Sequence, residues 1–86
     1  MRIIENPIWV YYKADEEPYF DENKVGKWMY FFEDESRAKK ICEAAIEQNI
    51  VGECKYKKCN DGVACFYLND DMAGHRRVIC FFWKTA

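Results

Sequence analysis

The one histidine of this 86-residue chain, His75, is followed by Arg76 and Arg77 and preceded by Asp70 and Asp71. No other grouping in the sequence has acid–base chemistry within reach. An imidazole titrates near neutrality, guanidinium groups hold anions, and a carboxylate orients the ring. A second set is suited to phosphate: Lys55 and Lys57 share a strand face by period-two alternation, with Lys58 at its end. Trp9 and Trp28 supply flat π surfaces, on which a stacked base is worth about 1–3 kcal/mol. Each set also has a structural use. His75 fits a charged turn, the lysines fit the solvated side of an edge strand, and the tryptophans fit a core.

Five cysteines lie at 42, 54, 59, 65 and 80, an odd number with no Cys-x-x-Cys pair. With a single histidine, they do not make a four-ligand zinc site, so neither metal nor cofactor is expected. Cys42, Cys65 and Cys80 stand in apolar runs, where a free thiol behaves as a small hydrophobe. Reduced cysteines and the lack of a leader-like start predict a cytoplasmic setting. No apolar run approaches the roughly 20 residues that cross a bilayer. P-loop, nucleophile-elbow, HExxH and Gly-x-Gly-x-x-Gly patterns do not occur, so binding is expected rather than catalysis.

The elements that must position these residues are legible from period and punctuation. Half of the chain is hydrophobic and 17% is aromatic, which predicts one folded domain over 1–86. Ile8 to Tyr12 reads as a strand, and residues 13–25 as a polar loop carrying Tyr19 and Phe20. Lys27 to Phe32 reads as a central strand, because both of its faces are apolar. Asp34 caps a helix over 34–50 with an apolar stripe of Ala38, Ile41, Cys42, Ala45 and Ile46; Asn49 and Gly52 offer its stop. Glu53 to Lys58 alternates as a half-exposed strand. Asn60-Asp61-Gly62 then turns the chain into an antiparallel partner, Val63 to Leu68. Residues 71–83 are read as a helix with a stripe of Met72, Ile79 and Trp83 beside Val78 and Phe82, in preference to a fifth strand from Val78 to Trp83. The expected fold is α+β, β-β-α-β-β-α: about four antiparallel strands with one or two helices on one face.

Several segments in this order are shared with a known group. They are Trp9 in a strand, Gly26-Lys27-Trp28-Met29, Val51-Gly52-Glu53-Cys54-Lys55, Cys65-Phe66-Tyr67-Leu68-Asn69-Asp70 and His75-Arg76-Arg77-Val78-Ile79. Together they resemble small proteins related to the basophilic-leukaemia-expressed protein family, whose fold is similar to the cap-binding translation initiation factors. The resemblance implies that fold, and a Trp9–Trp28 clamp of the kind that holds a base. Some relatives are described as phosphothreonine lyases, which implies Lys55 as base and His75 as acid beside an anion on Arg76 or Arg77. The chain departs from the pattern by ending soon after its last helix, where similar proteins continue with further strand.

Charge divides the chain. Asp15, Glu16, Glu17, Asp21 and Glu22 make its front half acidic, whereas the basic residues gather later. The formal charge of −2 lacks the basic excess of a general nucleic-acid binder, so nucleic acid is not expected as a direct partner. The expectation is a non-enzymatic protein-binding module using Asp15, Glu16, Glu17, Tyr19, Phe20, Asp21 and Glu22. An acidic loop of this kind imitates nucleic acid in a basic cleft, as in a phage or mobile-element inhibitor of a host defence nuclease (an anti-CRISPR-like role). The alternative is a nucleotide- or phosphate-ligand domain using Trp9, Trp28, Lys55, Lys57, His75 and Arg76. A homodimer would also cover exposed aromatics or an open strand edge.

Overall fold

The computed structural model describes residues 1–15, 25–69 and 72–85. Five strands form, β1 (Arg2–Glu5), β2 (Trp9–Lys13), β3 (Val25–Phe32), β4 (Glu53–Lys57) and β5 (Gly62–Asn69). Helix α1 (Glu35–Glu47) lies between β3 and β4 in sequence, and α2 (Met72–Thr85) follows β5. The strands make one sheet in the order β1-β2-β4-β5-β3, and every neighbouring pair is antiparallel. The class is α+β, as expected.

Register decides what the helices cover. Tyr12, Cys54, Phe66 and Trp28 align across β2, β4, β5 and β3, and Val10, Tyr56 and Ala64 form an adjacent row. Residues directly opposite share a face, so these two rows make one surface. The buried stripe of α1, Ala38, Ile41, Cys42, Ala45 and Ile46, joins them in a single core with Val78 and Phe81 of α2. Phe82 packs edge-on against Phe66, with ring centroids 5.1 Å apart, and lies 5.4 Å from Tyr30.

Both ends of α1 are built by short polar groups. The Asp34 carboxylate accepts from the Ser36 N–H at 3.0 Å and from its hydroxyl at 2.9 Å, satisfying an otherwise orphaned donor. Asn49 adopts a left-handed φ of 56°. There the Ile50 N–H donates to the Ala45 carbonyl at 2.9 Å and the Asn49 N–H to that of Ile46 at 3.1 Å, a Schellman closure. The β4–β5 turn docks on the same helix. Asn60 Oδ1 accepts from the Glu35 N–H at 3.0 Å, and the Asp61 N–H donates to the Glu33 carbonyl at 2.9 Å. A Cβ at Gly62 would stand 2.8 Å from Cys59 Sγ and 3.0 Å from the Phe32 ring, so any side chain there requires those two groups to give way.

The architecture corrects four expectations. A fifth strand, β1, pairs with β2, although all four of its residues are exposed. Strand β3 is an edge and not a central strand: its second apolar face, Met29 and Phe31, points to solvent. Strand β4 is central, so Lys55 and Lys57 do not guard an edge. Residues 72–85 are helical, but Met72, Ile79 and Trp83 are exposed, and the buried arc is Val78 and Phe81. Cys80 is exposed with them, whereas Cys42, Cys54 and Cys65 are buried; no cysteine is bridged.

Tyr12 and Tyr56 stack in the core with ring centroids 6.1 Å apart. Burial pushes both phenols above the ordinary value of 10.0. An unfolded tyrosine ionises near pH 10 while the folded one stays neutral. Its contribution is therefore whole below about pH 10 and is lost above it. We expect urea-unfolding stability to fall on alkaline titration beyond about pH 10, and Tyr12→Phe to make that fall shallower by up to about 1.4 kcal/mol per pH unit. An unchanged alkaline limb in the variant would contradict this assignment.

Candidate functional site

Because both helices pack on one side, the opposite face of the sheet is left without a layer among the described residues. Period-two alternation assigns its residues. One row runs Ile4, Tyr11, Lys55, Cys65, Met29, and the next runs Arg2, Lys13, Glu53, Tyr67, Lys27. Trp9 lies opposite Lys57, and Val63 opposite Phe31. Phe31 is 72% exposed, Ile4 51% and Met29 49%, while Trp9, Tyr11 and Tyr67 are half-buried. Cys65 is buried at the centre of this face.

Cations outnumber anions on this face. Lys13 pairs with Glu53 at 3.7 Å. The Lys55 ammonium sits 4.0 Å from the Trp9 ring centroid and 5.4 Å from that of Tyr11. Ring quadrupoles hold a cation there by about 0.5–2 kcal/mol. The result is a broad, shallow surface of aromatic and aliphatic side chains with interspersed ammonium groups.

The structure brings together only part of each set expected from sequence. Trp9, Lys55 and Lys57 share the uncovered face, whereas Trp28 lies on the helix-covered face, so the two tryptophans cannot sandwich one base. Trp28 Nε1 instead donates to His75 Nδ1 at 2.9 Å, and their rings lie 5.8 Å apart. An imidazole accepting at Nδ1 carries its proton on Nε2. His75 and Lys55 therefore stand on opposite sides of the sheet, and the acid–base pair of an elimination is not assembled. Arg76 lies on the solvent side of α2, with Nη2 4.0 Å from Met72 Sδ. Asp15 is exposed and accepts from the N-terminal ammonium at 2.6 Å, which lowers the pKa of its carboxyl. Glu16, Glu17, Tyr19, Phe20, Asp21 and Glu22 fall outside the described residues.

Among the described residues no three His, Cys, Asp or Glu side chains gather as metal ligands. The Cys54 thiol donates to the Cys42 carbonyl at 3.6 Å; the neighbouring Cys42 side chain and burial raise its pKa and keep it protonated. Sequence reasoning missed Ile4, Tyr11, Met29, Phe31 and Tyr67 as surface residues. The alternation of β3 separated Met29 and Phe31 from Trp28 and Tyr30, but an apolar second face was read as a second buried one.

Trp28→Phe removes the donor to His75 while keeping a ring. A loss of about 1 kcal/mol in urea unfolding is expected. In ¹⁵N NMR the imidazole should move from the Nε2–H tautomer toward a mixture. Unchanged stability together with an unchanged tautomer would show that the hydrogen bond does not hold the ring.

Comparison with protein-family models, curated proteins and solved structures gives no match.

Proposed function

We propose that this chain is a non-enzymatic protein-binding module whose docking surface is the uncovered face of the sheet. The observation that supports this reading is the exposure of Ile4, Met29 and Phe31 on one face with half-buried Trp9, Tyr11 and Tyr67. Contiguous apolar surface rimmed by polar groups marks interaction sites, and interfaces are enriched in aromatics and methionine. Phe31 is the anchor: it is large, rigid and the most exposed apolar group of the sheet. In its finer form the proposal is an inhibitor of a host defence nuclease. There the acids Asp15, Glu16, Glu17, Asp21 and Glu22 imitate a polyanion, and Tyr19 and Phe20 add apolar contacts with the partner.

Partners captured from the native host by the wild-type chain, quantified by mass spectrometry, test both forms. Met29→Glu with Phe31→Glu should abolish capture while changing stability by less than about 0.5 kcal/mol, as surface substitutions do. Reversing the five acids to lysine should abolish it only if that acidic segment makes the contact. Equal recovery by wild type and the Met29/Phe31 variant would remove the sheet face as the docking surface.

A second reading, a nucleotide or other phosphate ligand, is favoured by the meeting of Trp9, Lys55 and Lys57 on that same face. Titration with ATP should then quench tryptophan fluorescence to saturation at micromolar ligand, and Trp9→Ala should abolish the effect. A flat trace with the wild-type chain excludes it.

A further inference from the structure

A second surface lies on the other side of the molecule. A groove of about 440 Å³ runs between α2 and the chain leaving α1. Its apolar lining is Ile50, Ala73, Cys80 and Phe81, with Gln48 among the polar residues. Its charged lining is Arg76, Arg77 and Lys84, with no carboxylate among them. None of these three cations reaches a carboxylate among the described residues. Arg77 Nε donates to the Ile50 carbonyl at 3.5 Å, and the closest partner of Arg76 is the Met72 sulfur. The groove thus unites an apolar floor with positive charge that no described carboxylate pairs.

Its dimensions specify the occupant further. The α2 residues that line it, from Ala73 to Lys84, recur at helical spacing over about 16 Å of axis, three turns. A trough along a helix is the shape into which a second helix lays one apolar face, read as anchors at i, i+4 and i+7. All three cations stand on α2, so the rim selects acidic residues on the flank of the bound helix that meets α2. On the outer side of α2, away from the groove, Met72, Ile79 and Trp83 stand 75%, 52% and 88% exposed.

We propose that this groove receives an acidic amphipathic helix of a partner protein, its apolar side chains on Ile50, Cys80 and Phe81 and its carboxylates on Arg76, Arg77 and Lys84. The site is separate from the sheet face, so either can fail without the other.

The test uses the full chain and a fluorescein-labelled synthetic helix of three turns, with leucines at i, i+4 and i+7 and glutamates on one flank. Fluorescence anisotropy should saturate at micromolar protein. Raising salt from roughly 50 to 500 mM should weaken binding about tenfold or more, because the rim charges are exposed. Arg77→Glu with Lys84→Glu should also weaken it about tenfold, while Phe31→Glu on the sheet face leaves it unchanged. Cys80, the exposed thiol in the groove, reports position in the wild-type chain: bound peptide should slow its alkylation by maleimide, read by mass spectrometry. This readout stands even if the charge-reversed variant fails to fold. No binding, equal binding of a lysine-flanked peptide, or an unprotected Cys80 would overturn the proposal. So would adsorption to phosphatidylserine vesicles with no affinity for the peptide, which would assign α2 to a lipid surface instead.

Discussion

Strand register is the constraint on which the molecule depends. With a side-chain period of two, the pairing that aligns Tyr12, Cys54, Phe66 and Trp28 simultaneously sends Tyr11, Lys55, Cys65 and Met29 to the other side. A slip of one residue between β4 and β5 would place Lys55 under α1, where no acid among the buried residues could receive it. The core and the uncovered surface are therefore two outcomes of one pairing pattern.

What fixes that register is partly the docking of the β4–β5 turn onto the start of α1. Asn60 and Asp61 bond to backbone groups of Glu35 and Glu33, while Asp34 caps the same helix end from within its own segment. The helix start, the end of β3 and the turn thus share one cluster of hydrogen bonds. At the other end of α1, the Schellman closure at Asn49 aims Ile50 and Val51 back toward the sheet and delivers the chain into β4. A helix terminated later would carry Glu53 past its pairing partner Lys13.

Features governed by local chemistry could be read from the sequence alone. Helix α1 announced itself through Asp34, the stripe from Ala38 to Ile46 and the stop at Asn49, because caps and stripes act over three or four residues. The shared face of Lys55 and Lys57 was legible for the same reason. Features decided by non-local partners were not. Strand β1 is four exposed residues with no alternating pattern, and it exists because β2 offers an open edge. The apolar second face of β3 has the same sequence signature whether a layer covers it or solvent does. Helix α2 carries two apolar arcs, and only the positions of Phe66 and Tyr30 decide that Val78, Phe81 and Phe82 turn inward while Ile79 and Trp83 turn out. The tryptophan pair failed as a clamp for a related reason: an odd or even position in a strand is visible, but which parity faces the helices is not.

Gly62 ties together positions that lie far apart in the chain. Its missing side chain leaves the space occupied by Phe32, thirty residues earlier, and by the Cys59 sulfur across the turn. In a diverging lineage these three sites cannot drift independently: a methyl group at 62 requires a smaller ring position or a redirected thiol first. An alignment of descendants should therefore show 32, 59 and 62 changing as a set, with the order of substitutions constrained by available volume.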